Sequence, residues 1–229
     1  MKKDLDLADI IEWDIPNWSV ALRYWAKNTK YDFPSIHALE IGSRHGGLSL
    51  WAALNGATVL CTDLLGPSDE AIEKHVKFNV SHSIKYEALN ALDIPYLGKF
   101  DVVFFKSVLG GVGRSDGLRN QAKAINEIHK SLTKGGELWF AENLTASPVH
   151  QYFRERYVKW STNWRYMTIQ EINNLLSVFS EVKYITVGFL GTLGQNSLQR
   201  CILGRLDRMG VDRLVTEAWR YIMIGIAKK

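Results

Sequence analysis

Short apolar runs alternate with amphipathic stretches along most of this chain. Ile36–Ile41, Thr58–Thr62, Ile84–Leu89, Phe100–Phe105 and Glu137–Ala141 have the length and apolar content of strands covered on both faces. Helical patterns lie between them. Leu48–Leu54 follows a glycine cluster and is stopped by Gly56. Arg119–Leu132 sets Ile125, Ile128 and Leu132 on one stripe, and Lys134–Gly135–Gly136 is expected to end it. Ile169–Phe179 is preceded by Thr168, with Glu171 three residues on, a capping box. Two late strands are predicted at Val182–Leu190 and Trp219–Ala227, with a helix at Leu198–Arg208 between them. Strand and helix alternate to about residue 140, which predicts a parallel sheet with helices on both faces.

Composition adds bounds. A chain of 229 residues with no internal repeat or low-complexity linker suits one large domain. The expected parts are an N-terminal helical segment or lid at 1–34, a core at 35–190, a helical insertion at 191–218 and a last strand at 219–229. The net charge of +4 comes from scattered basic residues, so no nucleic-acid arm is expected, and an anionic substrate is permitted but not indicated. No apolar stretch is long enough to span a membrane, and the polar start MKKDLDLADI does not read as a signal peptide. Cys61 and Cys201 lack metal or redox spacing, and the six histidines are dispersed. The expectation is a cytoplasmic protein with a small-molecule substrate, no metal and no membrane partner.

The stretch HALEIGSRHGGLSLWAALNGATVLCTD, residues 37–63, carries the most chemistry. It reads as strand, glycine turn, helix and strand, with Glu40 near the end of the first strand and Asp63 at the end of the second. Open α/β sheets bind ligands at that edge. A G-x-G-x-x-G fingerprint needs glycine at 42, 44 and 47, and an acid-x-G-x-G-x-G pattern needs 40, 42, 44 and 46; each fails only at Arg44. Glu40 separates them. A carboxylate there would repel a pyrophosphate but suits a ligand with an ammonium, a sulfonium and no phosphate, such as S-adenosylmethionine. Asp63, 23 residues on, stands where ribose hydroxyls need an acceptor.

The order of elements resembles the class I S-adenosylmethionine-dependent methyltransferases. NALDIPYLGKFDVVFF, EIHKSLTKGGELWFAENL and the final YIMIGIAKK carry the resemblance together with the glycine motif. It implies a three-layer α/β/α Rossmann-like sandwich with a mostly parallel seven-stranded sheet, whose last strand inserts antiparallel between the fifth and sixth. It also implies S-adenosylmethionine as cofactor and S-adenosylhomocysteine as product. By position, Glu40, Gly42 and Ser43 would hold the methionine end, Asp63 the ribose with Leu64 beside the adenine, and Asn90 and Ala91 the adenine amino group, with Asp93 a competing choice for that contact. Lys106 and Ser107 would run beside the methionyl group and the transferring methyl.

The acceptor and any base are less defined. Glu142 and His150, which follow the fifth strand, and His45 on the glycine loop are the base candidates, each with a structural alternative: a helix-capping acid, a surface histidine, a solvated turn. Catalysis by proximity needs no strong base. Arg44, Trp18, Arg154 and Tyr166 are candidates for substrate contact, while Phe153, Tyr157, Trp160 and Trp164 follow helical spacing and suit packing. KSVLGG after the fourth strand lacks the Asn-Pro-Pro-Tyr motif of amino-group methylation, which favours an oxygen acceptor. The leading reading is methyl transfer to a small polar acceptor, such as a sugar, nucleotide sugar or phosphorylated metabolite of surface-polysaccharide or specialised metabolism. The alternatives are an RNA or protein methyltransferase, a non-catalytic partner-binding subunit, and a nicotinamide oxidoreductase.

Overall fold

In a computed structural model that describes residues 5–158 and 163–229, seven strands form one sheet. They are β1 (His37–Glu40), β2 (Thr58–Asp63), β3 (Ile84–Ala88), β4 (Phe100–Lys106), β5 (Leu132–Asn143), β6 (Glu181–Val187) and β7 (Ile222–Lys228). Their order across the sheet is β3-β2-β1-β4-β5-β7-β6. The pairs from β3 to β5 are parallel, and β7 runs antiparallel to both β5 and β6.

The helices are α1 (Leu7–Ile11), α2 (Ile15–Trp18), α3 (Val20–Asn28), α4 (Gly47–Leu54), α5 (Asp69–Lys77), α6 (Leu109–Val112), α7 (Gly117–Ser131), α8 (Pro148–Tyr157), α9 (Ile169–Leu175), α10 (Ser197–Leu206) and α11 (Asp212–Leu214). The capping box at Thr168 and Glu171 forms. The helix it starts ends at Leu175 and continues as a 3₁₀ turn to Val178. Lys134–Gly135–Gly136 does not end a helix but lies inside β5. That strand begins opposite Phe100 and shifts register before Val102 pairs with Glu137. The last strand starts at Ile222, three residues later than its apolar pattern predicts.

Side chains alternate across the strands, and both faces are covered. Val102, Phe104, Trp139, Ala141, Ile222, Ile224 and Ile226 pack on one face with α1 to α4. Val103, Phe105, Leu138, Phe140, Met223 and Ala227 pack on the other with α7 and α9. On the first face Trp139 meets Trp25, Trp51, Phe104 and Phe33 at centroid distances of 5.7–6.4 Å. Trp25 also donates its indole N–H to the Gly225 carbonyl at 3.1 Å, which fastens α3 to β7. A buried polar knot joins the N-terminal helices to the segment between β6 and β7. In it the Asn17 amide donates to Asp207 Oδ2 at 2.9 Å, and Asp207 accepts from the backbones of Leu190 and Gly191.

Among the described residues no helix is long and apolar enough to cross a membrane.

Candidate active site

The chain leaves β1 toward β2 on one side and later enters β4 on the other, so a switch point lies between β1 and β4. A cavity of about 640 Å³ opens there, within the usual size of small-molecule sites. Glu40, Gly42, Ser43, Lys106, Ser107 and Asn143 line it from the sheet edge. Glu12 and Trp13 reach it from the α1–α2 connection. Arg154 of α8, Trp164 and Tyr166 from the stretch before α9, and Thr192 and Arg200 from the β6–β7 excursion complete the walls.

The glycine loop explains why the N-terminal helices can close over the site. A Cβ at Gly47 would lie 2.1 Å from the Ile10 carbonyl oxygen, so only glycine lets α1 settle on the start of α4. Arg44 stands where the motif has its middle glycine and still adopts the left-handed conformation, φ +50°. That costs about 1–2 kcal/mol for a side-chain-bearing residue. Its N–H donates to Asp63 Oδ2 at 2.8 Å, which ties the loop to the end of β2. The Arg44 guanidinium projects outward and lies 3.7 Å from Glu12.

Glu40 is 2 % exposed. Its Oε2 accepts from the Ser49 N–H at 3.0 Å and from the Ser49 hydroxyl, both in α4. Burial outweighs these bonds and raises its pKa to about 7. Lys106 donates to the Ile11 carbonyl at 3.3 Å, and burial pushes its pKa down against the pull of Glu12. Ser107 Oγ accepts from the Asn143 amide at 2.6 Å, joining the ends of β4 and β5.

Glu40, Gly42, Ser43, Lys106 and Ser107 thus meet at one cavity. Asp63, Leu64, Asn90 and Ala91 lie outside its lining, at and after the ends of β2 and β3 on the same sheet edge. Asp63 accepts from the backbones of Arg44 and Leu64, one bond to each oxygen, which leaves each a further lone pair. Asn90 uses its carbonyl oxygen within its own turn, accepting from Leu92 N at 2.9 Å.

None of the three base candidates lines the cavity. Glu142 is fully buried and accepts from the backbones of Val108 (2.9 Å), Leu109 (2.7 Å) and Asn143 (2.9 Å), so it caps α6. His150 is a core residue rather than a surface histidine. Its Nδ1 lies 2.6 Å from Ser147 Oγ and its Nε2 2.7 Å from the Phe189 carbonyl. The carbonyl only accepts, so Nε2 carries the proton, and burial lowers the pKa to about 4. His45 turns toward α5, with Nδ1 3.0 Å from Glu70.

Of the substrate candidates, Arg44, Arg154 and Tyr166 line the cavity and Trp18 does not. Trp18 is fully buried beneath Lys106, whose Nζ lies 5.5 Å from its ring centroid. The neighbouring Trp13 takes the cavity position instead. Trp164 is not helical and lines the cavity, whereas Phe153 and Tyr157 are ring partners in α8 and Trp160 lies outside the described residues. Glu12, Thr192 and Arg200 had no signal in the sequence, because only folding brings their segments to the sheet edge.

Gly110 and Gly111 both pack against the Trp164 indole. A Cβ at Gly110 would lie 1.9 Å from Trp164 Nε1, so the glycine is the seat of that indole. Gly110→Ala is expected to expel Trp164 at a cost of about 1–3 kcal/mol. Affinity for S-adenosylhomocysteine should stay within a few-fold, as read by urea unfolding beside a calorimetric titration.

Among the described residues no group of three or more His, Cys, Asp or Glu is placed to hold a metal ion.

Residues 39–140 match the sequence family described as "Methyltransferase domain". No curated protein matches the chain. Solved structures share its fold. The MccD protein is 18 % identical with a TM-score of 0.60, covering 91 % of this chain and 96 % of its own. A Haemonchus contortus phosphoethanolamine N-methyltransferase 2 in complex with S-adenosyl-L-methionine is 16 % identical with a TM-score of 0.63, over 93 % of this chain and 52 % of its own. A Streptomyces coelicolor A3(2) geranyl diphosphate C-methyltransferase in complex with S-adenosyl-L-homocysteine is 12 % identical with a TM-score of 0.62, over 92 % and 75 %. Sheet order and the match over residues 39–140 agree: the chain has the Rossmann-like fold of the class I S-adenosylmethionine-dependent methyltransferases and carries a segment similar to their methyltransferase domain.

Proposed function

We propose that the cavity binds S-adenosylmethionine and directs its methyl group to a small polar acceptor, with oxygen favoured over nitrogen. The observation that carries this reading is Glu40, a buried carboxylate beside the glycine loop at the switch point. It suits an ammonium and would oppose a pyrophosphate. Gly42 and Ser43 would sit along the methionine end, with Lys106 and Ser107 beside the methyl. Asp63, through its remaining lone pairs, would take the ribose hydroxyls. Leu64, Asn90 and Ala91 would flank the adenine. When bound, the cofactor supplies the activated methyl on its sulfonium.

The chain's own part is alignment and exclusion of water. Trp13, Trp164 and Tyr166 wall the cavity; among the described residues no histidine lines it, and its two carboxylates are Glu40, set against the cofactor's ammonium, and Glu12, which lies 3.7 Å from Arg44. That supports catalysis by proximity, with acidic and basic strength supplied by the reactants. Two fold relatives are named for phosphoethanolamine and geranyl diphosphate, both small acceptors. That supports a small molecule over RNA or protein.

Calorimetric titration with S-adenosylhomocysteine is expected to give a saturable one-to-one isotherm, and absence of heat and of thermal stabilisation overturns the reading. Incubation with labelled cofactor and a metabolite extract enriched in nucleotide sugars then identifies the species that takes up the methyl.

A further inference from the structure

The loop that carries Arg44 is held from outside by α5, a helix that supplies no side chain to the cavity. Arg44 takes a left-handed φ of +50° where the motif has glycine, and Gly46, two residues on, takes +68°. A side-chain-bearing residue in that region persists where its surroundings over-determine the backbone. Two ties come from the end of β2. Ser43 N donates to the Thr62 carbonyl at 2.9 Å and Arg44 N to Asp63 Oδ2 at 2.8 Å. Two more come from α5. Ser68, its N-cap, donates its hydroxyl to the Arg44 carbonyl at 3.2 Å while its Oγ accepts from Ala71 N. His75, in its last turn, sets Nε2 2.8 Å from the Gly46 carbonyl.

His75 is fully buried. A carbonyl only accepts, so Nε2 carries the proton. Burial lowers the pKa of the ring, Lys74 on the same helix acts in the same direction, and the imidazole is neutral at pH 7. Nδ1 is then an acceptor. The Tyr86 hydroxyl of β3 donates to it at 3.0 Å, with the two rings stacked 5.7 Å apart. The bond from Tyr86 therefore selects the tautomer that holds the loop. The Gly46 carbonyl also accepts from Leu50 N at 2.9 Å, so helix α4 and His75 share its two lone pairs. A Cβ at Gly46 would lie 2.6 Å from His75 Cε1 and 2.9 Å from Ala71 Cβ, so α5 reaches the loop only across a glycine.

We propose that His75 is a positioning residue for the cofactor: locked in one tautomer by Tyr86, it pins the Gly46 carbonyl and holds the turn at residues 43–46 in the shape that receives the methionine end. Ser68 holds the Arg44 carbonyl of the same turn, and Gly46 N closes it by donating to the Ser43 carbonyl at 2.8 Å. The proposal rests on the methyltransferase reading of the cavity and adds to it a residue that acts only through the loop.

Three measurements on the full chain test it. NMR of the histidine ring nitrogens should show His75 neutral and protonated at Nε2. Calorimetric titration of His75→Leu with S-adenosylhomocysteine should show affinity reduced about threefold to tenfold, the loss of one hydrogen bond between neutral groups. His75→Gln, whose amide N–H can stand where Nε2 does, should restore most of that loss. Hydrogen exchange at the Arg44 and Gly46 amides should speed up in the Leu variant and stay near the parent rate in the Gln variant. Both variants lose the stacked imidazole, so urea unfolding should shift alike in the two, and a merely structural role would weaken binding alike as well.

A proton on Nδ1 instead of Nε2 would overturn the proposal, because the bond to Gly46 would then not exist. Parent-like binding in the Leu variant, or an equal loss in the Gln variant, would leave His75 a packing residue only. If the parent itself does not bind S-adenosylhomocysteine, the methyltransferase reading falls and the positioning role falls with it. A parent that binds, with unchanged loop exchange in His75→Leu, overturns the positioning role alone.

Discussion

Glu40→Gln is expected to lower affinity for S-adenosylhomocysteine about tenfold to 100-fold at pH 8, the loss of one hydrogen bond assisted by full charge. The substitution keeps shape. A glutamine oxygen can still accept from Ser49 N, so the start of α4 remains anchored. The pH dependence separates this role from a structural one. Burial raises the Glu40 pKa from 4.5 to about 7 in the free protein, and an ammonium stabilises the ionised form. Cofactor affinity in the parent should therefore fall as pH drops below 7, by up to about tenfold per unit. The Gln variant should lose that slope.

Binding at pH 6 should release a proton, visible as a calorimetric heat that changes with the buffer's ionisation enthalpy. For folding the sign is the opposite of the usual carboxylate. A folded pKa above the unfolded one stabilises the free protein fully below pH 4.5, and this contribution is lost as pH rises to about 7. The Gln variant should be less pH-sensitive in that window. A flat affinity profile in the parent would remove Glu40 from the cofactor site.

Why Glu40 was legible in the sequence, and His150 and Trp18 were not, has a physical reason. A strand end followed by glycines puts its neighbours at a known edge of the sheet, so local sequence fixes their place in space. β1, β2 and β4 appear within a residue or two of their apolar runs for the same reason. The order of the last strands was legible only through resemblance to a family, since β7 pairs across long sequence distances.

His150 sits in a polar loop by composition, yet Ser147 and Phe189 enclose both its nitrogens, and Phe189 is 39 residues away. Trp18 and Trp13 are equivalent by type. The turn through Asp14, in left-handed conformation, sends one into the core and the other to the cavity. Arg200 reaches the site through the polar knot that holds the β6–β7 excursion against α2, and no local pattern marks such a contact.

The aromatic cluster that supports this edge of the sheet sets the largest expected effect on stability. Trp139→Ala should cost about 3–5 kcal/mol, a large part of the roughly 5–15 kcal/mol that holds a domain folded. Trp139 is 1 % exposed and touches Trp25, Trp51, Phe104 and Phe33, so the cavity left by its removal is walled by four rigid rings that cannot collapse into it. Its indole N–H donates to Glu137 Oε2 at 2.8 Å. Glu137 keeps donors from Thr29 Oγ1 (2.7 Å) and Lys30 N (3.2 Å), so the lost hydrogen bond is the smaller part of the cost.

The consequence extends to function because Trp25 stacks on Trp139 and anchors α3, and α3 follows the segment that carries Glu12 and Trp13 to the cavity. Urea unfolding of Trp139→Ala should show a midpoint shift of this size with a parent-like slope, and Trp139→Phe should recover about half of it. S-adenosylhomocysteine should bind the Phe variant nearly as well as the parent. In the Ala variant, the cofactor product should bind more weakly even under conditions where the chain remains folded, because α1 and α2 lose their footing on the sheet. A midpoint shift under 1 kcal/mol in Trp139→Ala would show that the rings close the gap and that the N-terminal helices are held by the Asn17–Asp207 knot alone.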